Sequence, residues 1–188
     1  INLLFDYSVD TLVKQLQLDH KVFFILTNTR SMNESDCTKV INQIMFNISE
    51  AIRITKYTHR VQFISRGDST LRGHYPLETN LISKFLTDNK SSLGYYVDAT
   101  ILIPAFFEGG RVTFDNIHYV IEDDHLIPSG QTSFAKDEHF GYSHSNLVDW
   151  VIEKHNLSVD KSNRRVTREN IVCITLTDIR EGGPYVIA

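Results

Sequence analysis

An apolar run, Val22-Phe23-Phe24-Ile25-Leu26, gives way to a stripe of Cys37, Val40, Ile41, Ile44, Ile48 and Ile52 at three- and four-residue steps. The first pattern is that of a strand buried on both faces; the second is an amphipathic helix, with Ser31 or Asn33 available as its N-cap. The same change of period recurs. Val61-Gln62-Phe63-Ile64 reads as a second strand, residues 76–85 as a helix with proline in its first turn, and 99–103 and 171–176 as further strands. Strands alternating with helices predict a three-layer α/β domain, a mostly parallel sheet flanked by helices. Segments 117–121 and 125–127 flank Glu122-Asp123-Asp124, which adds a β-hairpin insertion. Ser145 is placed to cap a helix carrying Leu147, Val148, Trp150, Val151 and Ile152, while 129–143 reads as irregular and 160–168 as a loop.

Composition narrows the class. With 188 residues, 41% of them hydrophobic, the chain holds enough apolar side chains for one core, and disorder is excluded. Nineteen basic against 23 acidic residues leave a formal net charge of −4, so no global field favours nucleic acid or an anionic membrane, and neither is an expected partner. Any anion site must be local. No apolar run approaches the roughly 20 residues of a membrane-spanning helix, and the first residues lack a basic signal region. Cys37, on the helical stripe, and Cys173, on a strand, read as small buried hydrophobes with no disulfide between them, and a cytoplasmic location is expected. The chain starts without Met and stops inside the apolar run 185–188, so it is expected to be a piece of a longer protein, truncated at both ends.

In a parallel sheet the loops leaving the carboxyl ends of the strands converge on ligands. Here those loops are Thr27-Asn28-Thr29-Arg30, Ser65-Arg66-Gly67-Asp68-Ser69-Thr70-Leu71-Arg72-Gly73-His74, Pro104-Ala105-Phe106-Phe107-Glu108-Gly109-Gly110-Arg111, and residues 177–184 with Arg180. Each holds an arginine, whose planar fork binds carboxylate or phosphate through two parallel hydrogen bonds, and glycines nearby let backbone approach closely. Four such loops on one sheet edge point to an anionic, hydroxyl-rich small molecule.

The second loop resembles the D-S-T-x-R-G signature of the four-carbon acid sugar kinases, ATP-dependent enzymes acting on 3-oxo-tetronates and related acids. Thr27-Asn28-Thr29-Arg30 is similar to that family's T-N-S-R segment, 104–111 to P-A-F-x-x-x-G-R, and Phe134-Ala135-Lys136-Asp137 to F-A-R/K-D, with Ser145-Asn146-Leu147 following. The resemblance implies that residues 1–188 are the N-terminal acid-sugar-binding domain. A separate C-terminal domain, not in this chain, would hold most of ATP and Mg²⁺, so no cofactor is expected here and the fragment alone is expected to be inactive. It departs from the family in two places: nothing in residues 1–10 matches the D-D-x-T-G segment, and Ser65-Arg66-Gly67 stands where many members have a Lys-Lys-Ile-like run.

The implied substrate-binding set is Asn28, Arg30, Arg66, Asp68, Ser69, Thr70, Arg72, Gly73, Gly110 and Arg111. Arg72 and Arg66 are the expected carboxylate clamps; Asp68 would accept from sugar hydroxyls and is a candidate base, competing with the aspartates of the missing segment. A homodimer is left open. The competing readings are a non-catalytic sugar-acid binding or regulatory module, and, less favoured for want of a G-x-G-x-x-G or G-x-x-x-x-G-K-[S/T] loop, a dinucleotide-dependent oxidoreductase. Arg66-Gly67-Asp68 matches an adhesion tripeptide by coincidence. His118, Asp123, Asp124 and His125 have hairpin rather than metal-ligand spacing, His139 and His144 fit solvated or packing roles, and Trp150, Tyr95 and Tyr96 read as packing residues.

Overall fold

Asn33 starts the longest helix because its side chain accepts from the Asp36 amide at 2.9 Å, satisfying a donor that the first turn leaves open. Helix α2 (Glu34–Thr55) then runs to Lys56, whose left-handed backbone (φ 51°) ends it. The computed structural model describes residues 1–18, 20–89, 97–158 and 166–182. By contacts the described chain forms two compact units, residues 1–67 with 73–101, and residues 68–72 with 102–188.

In the first unit the apolar stripe of α2 divides between two neighbours. Ile44, Ile48 and Ala51 pack with Leu12 of α1 (Val9–Leu16), while Cys37, Ile41 and Met45 pack with Leu86 of α3 (Leu77–Asp88). Leu4 of β1 (Asn2–Leu4) and Phe23 and Ile25 of β2 (Phe23–Ile25) cover the Leu12 cluster, and the two strands pair in parallel with Asn2 opposite Phe23. Leu12 is 1% exposed, so Leu12→Ala forfeits about 2–5 kcal/mol. Neither β1 nor α1 was anticipated, although Val9, Leu12, Val13 and Leu16 carry the helical period and Ser8 caps it by accepting from the Thr11 amide.

The second unit is built on an antiparallel sheet of β3 (Arg111–Phe114), β4 (Ile117–Glu122) and β5 (His125–Pro128). Both turns have two central residues at positive φ, Asp115 and Asn116 (46° and 63°) and Asp123 and Asp124 (48° and 62°), the type I′ geometry that suits the strands' twist and tolerates Asp and Asn. The expected hairpin therefore forms and gains a strand, β3. Helix α4 (Leu147–Leu157) buries Val148, Trp150 and Val151; its cap is Asn146, which accepts from the Val148 amide, rather than Ser145.

The mixed α/β class holds, but among the described residues the parallel sheet has two strands only. Residues 61–64, 99–103 and 171–175 lie in no strand. Their apolar side chains register a demand for burial but not a hydrogen-bonding partner, and a strand requires both. Ile64 and Ile103 are 80% and 79% exposed, whereas Phe63 alone of its segment packs against both α2 clusters. The loop expected at 177–184 is largely α5 (Leu176–Glu181), begun by a reciprocal Thr175–Asp178 capping box and ended at Gly182 (φ 73°). Of the loop expected at 160–168, residues 160–165 lie outside the described chain, as do Tyr95 and Tyr96. Among the described residues no helix is long and apolar enough to cross a membrane.

The two cysteines part company. Cys37 is fully buried, and burial, reinforced by the Glu78 carboxylate, pushes its thiol pKa up to about 12. Cys173 is exposed, a correction to its expected burial that follows from the missing strand. A maleimide is expected to label one thiol in the native protein and two after denaturation; two native labels would contradict the packing around Cys37.

Candidate functional site

Residues 68–72 close a turn in which the Leu71 amide donates to the Asp68 carbonyl at 3.1 Å. Leu71 adopts φ 65°, strained for a residue with a Cβ, and its side chain is 5% exposed, so burial offsets the strain. Two side chains of the second unit hold the carbonyls of this turn. His118, fully buried on β4, donates from Nε2 to the Ser69 oxygen at 2.8 Å, and Tyr142 donates from its hydroxyl to the Thr70 oxygen at 2.8 Å. Because a carbonyl only accepts, the proton sits on His118 Nε2, and Nδ1 faces the Thr113 hydroxyl at 2.9 Å. Burial first, then the Arg111 charge, hold the His118 pKa below its ordinary value against the opposing Ser69 hydrogen bond, so the imidazole is neutral at pH 7.

Arg72 is locked in place. Its Nε donates to Asp68 Oδ2 at 2.8 Å and to Thr70 Oγ1 at 3.0 Å, Nη1 lies 3.5 Å from Asp137 Oδ2, and its guanidinium stacks 5.0 Å from the Phe134 ring centre. Thr70 also donates to Asp68 Oδ2. Arg111, from β3, lies over the same ring at 5.6 Å and donates from Nη1 to the Gly109 carbonyl, while its buried Nε has no hydrogen-bond partner among the described residues. Two guanidinium groups thus share one phenylalanine. Arg72 faces two carboxylates; Arg111 has none within ion-pair distance among the described residues.

Asp137 accepts from the Phe140 and His139 amides, both at 3.0 Å, and these, with Arg72, hold its pKa below the ordinary carboxylate value. A depressed folded-state pKa contributes stability that is complete above the unfolded value, near 4, and is lost as pH falls through the folded one. Wild-type melting temperature is therefore expected to fall below about pH 4 more steeply than that of Asp137→Asn. Parallel pH profiles would remove Asp137 from the account.

Of the expected site residues, the second unit brings together Asp68, Ser69, Thr70, Arg72 and Arg111, and adds Phe134 and Asp137 from the F-A-K-D stretch. Gly110 has a structural task here: its φ of 72° and a hypothetical Cβ 3.1 Å from Ile121 Cβ admit only glycine, and its carbonyl accepts from the Ile121 amide at 2.7 Å. Asn28, Arg30, Arg66 and Gly73 belong to the first unit, where both arginines are exposed. There the unforeseen residue is Glu78, whose carboxylate accepts from Thr29 (2.5 Å), Ser65 (2.9 Å) and the Cys37 thiol (3.8 Å), joining two of the expected loops. His118 and Tyr142 were missed as site residues because their contacts are with backbone carbonyls, which carry no sequence signature. The hairpin histidines and aspartates do not gather: among the described residues no three His, Cys, Asp or Glu side chains are placed to hold a metal ion.

A family model described as the sugar-binding N-terminal domain matches residues 2–187. Searches of curated proteins and of solved structures return no match. With nearly its whole length covered, and with the D-S-T-L-R and F-A-K-D motifs meeting around one aromatic ring, the chain belongs to the sugar-binding N-terminal domain family, the domain its loop motifs resemble.

Proposed function

We propose that the domain binds a four-carbon acid sugar, with Arg111 taking the carboxylate and the Asp68–Thr70–Arg72 group meeting the hydroxyls. The observation that carries this reading is the contrast between the two arginines on Phe134: the Arg72 fork is occupied by Asp68 and Asp137, whereas Arg111 has no carboxylate partner among the described residues. A ligand carboxylate supplies that partner through charge-assisted hydrogen bonds. The leading clamp is then Arg111 rather than Arg72. Asp68 acts in binding rather than as the base, since its Oδ2 already accepts from Arg72 and Thr70.

In the longer protein the domain serves as the acceptor half of a kinase. ATP and Mg²⁺, when bound, supply the phosphoryl group and neutralise its charge. The residues described here do not fit either group: the chain has no phosphate-cradling Gly-Lys loop, and no described acidic cluster would hold the metal. This domain's own task is to fix the acceptor hydroxyl, which alone lowers a barrier set largely by alignment.

Thermal melts with erythronate, threonate and the matching uncharged tetritols test the binding claim. Stabilisation that rises with acid concentration and is much weaker with the tetritols supports it; equal response to both, or none to the acids, overturns it. Full-length protein consuming ATP only when such an acid is present would support the kinase assignment. Turnover by the 188-residue chain alone would contradict the division of labour.

A further inference from the structure

We infer that His118 and Tyr142 are positioning residues for sugar binding, holding the Ser69 and Thr70 carbonyls so that the 68–72 turn presents its side chains and amides in one fixed arrangement. The inference rests on the proposed acid-sugar site and goes beyond it, because neither residue is assigned to the ligand. The two donors engage consecutive carbonyls at the same 2.8 Å, from elements far from the turn in sequence. His118 is completely buried and Tyr142 is 6% exposed, so neither competes with water for these bonds. Tyr142 is itself fixed edge-on against buried Trp150, with ring centres 6.5 Å apart. The turn needs this restraint: Leu71 sits in a backbone region that residues with a Cβ adopt at a cost, and a loop free to relax would leave it. Arg72 and Thr70, which follow the clamped carbonyls, are the residues whose geometry would be lost.

The experiment uses the full 188-residue chain. His118→Gln places an amide nitrogen near the position of Nε2 and keeps the donor to Ser69, whereas His118→Asn reaches only the position of Nδ1 and loses it. Tyr142→Phe removes only the other donor. Erythronate and threonate affinities are measured by calorimetry, and backbone hydrogen exchange is followed at residues 69–72. The expected result is near-native affinity for His118→Gln and a loss of about tenfold for His118→Asn and for Tyr142→Phe. Amides 69–72 should exchange faster in the two weakened variants while α4 stays protected. Equal affinity and unchanged loop exchange in His118→Asn and His118→Gln would overturn the inference, as would faster exchange spread over the whole unit. Should His118→Asn fail to fold, Tyr142→Phe decides it on the same two readouts. If the wild-type chain binds neither acid, the proposed ligand is wrong, and the exchange comparison still decides whether the two side chains order the turn.

Discussion

Replacing Arg111 by methionine is expected to weaken binding of a four-carbon acid by about 100-fold, roughly 2.7 kcal/mol, and to leave the weak affinity for the uncharged tetritol unchanged. Methionine keeps much of the apolar stem that lies against Phe134 and removes the charge, so the fold is disturbed less than by alanine. The argument is one of compensation. Arg72 and Arg111 bring two positive charges to the ring, and Asp68 and Asp137 two negative ones, but both carboxylates lie against Arg72. Arg111 is therefore the cation for which a ligand carboxylate is the first close partner among the described residues. Arg111→Lys separates charge from shape: an ammonium restores attraction but not the paired hydrogen bonds, and partial recovery is expected. An equal loss for acid and tetritol would show that Arg111 serves the loop rather than the ligand, and isothermal titration with both compounds distinguishes the cases.

The second large effect concerns stability. Asp68 and Arg72 have side chains 17% and 20% exposed, so removing one partner strands a charge in a place where water reaches it poorly. Arg72→Met should cost about 3–5 kcal/mol of unfolding free energy, because Asp68 and Asp137 both lose the Arg72 cation. Adding Asp68→Ala to that variant should recover part of the loss, since the carboxylate that has lost the Arg72 cation is then removed as well. Urea unfolding of the two single variants and the double variant measures the coupling directly. Additive losses would mean that the pair is solvated well enough for each charge to stand alone. The same variants separate folding from binding: Arg72→Met should fail on both counts, Arg111→Met on binding only.

Local signals were legible where a residue's own backbone geometry decides the outcome. The cap of α2, which falls on Asn33 rather than on the alternative Ser31, the Asp123-Asp124 turn and the α2 stripe each follow from short-range sterics and hydrogen bonding. What a strand pairs with is not local. Residues 61–64 and 171–175 carry strand-like composition and find no ladder among the described residues, and the burial expected of Cys173 failed with them. The site divides along the same line. Its charged members stand out as motif residues, while the F-A-K-D stretch marks Phe134 and Asp137 without indicating what either touches. Their convergence on Arg72 depends on the turn geometry at 68–72 and on the His118 and Tyr142 hydrogen bonds. The proposed clamp, Arg111, differs from the Arg72 and Arg66 expected from the sequence for a related reason: a sequence counts arginines but does not show which of them has a counter-charge at hand.

The way the chain is shared between its two units has a genetic consequence. Residues 68–72 belong with 102–188, while the residues on either side of them, Gly67 and Gly73, belong with the other unit. A gene segment encoding 102–188 would carry Arg111, Phe134 and Asp137 and lack Asp68, Thr70 and Arg72, so a contiguous excision that keeps the ring with both of its arginines must also carry residues 73–101 of the other unit. Recombination that exchanges one unit between homologues must therefore break at three points, before and after the pentapeptide and again near residue 101, or deliver a chimaera whose Arg72–Phe134–Arg111 cluster is assembled from two different parents.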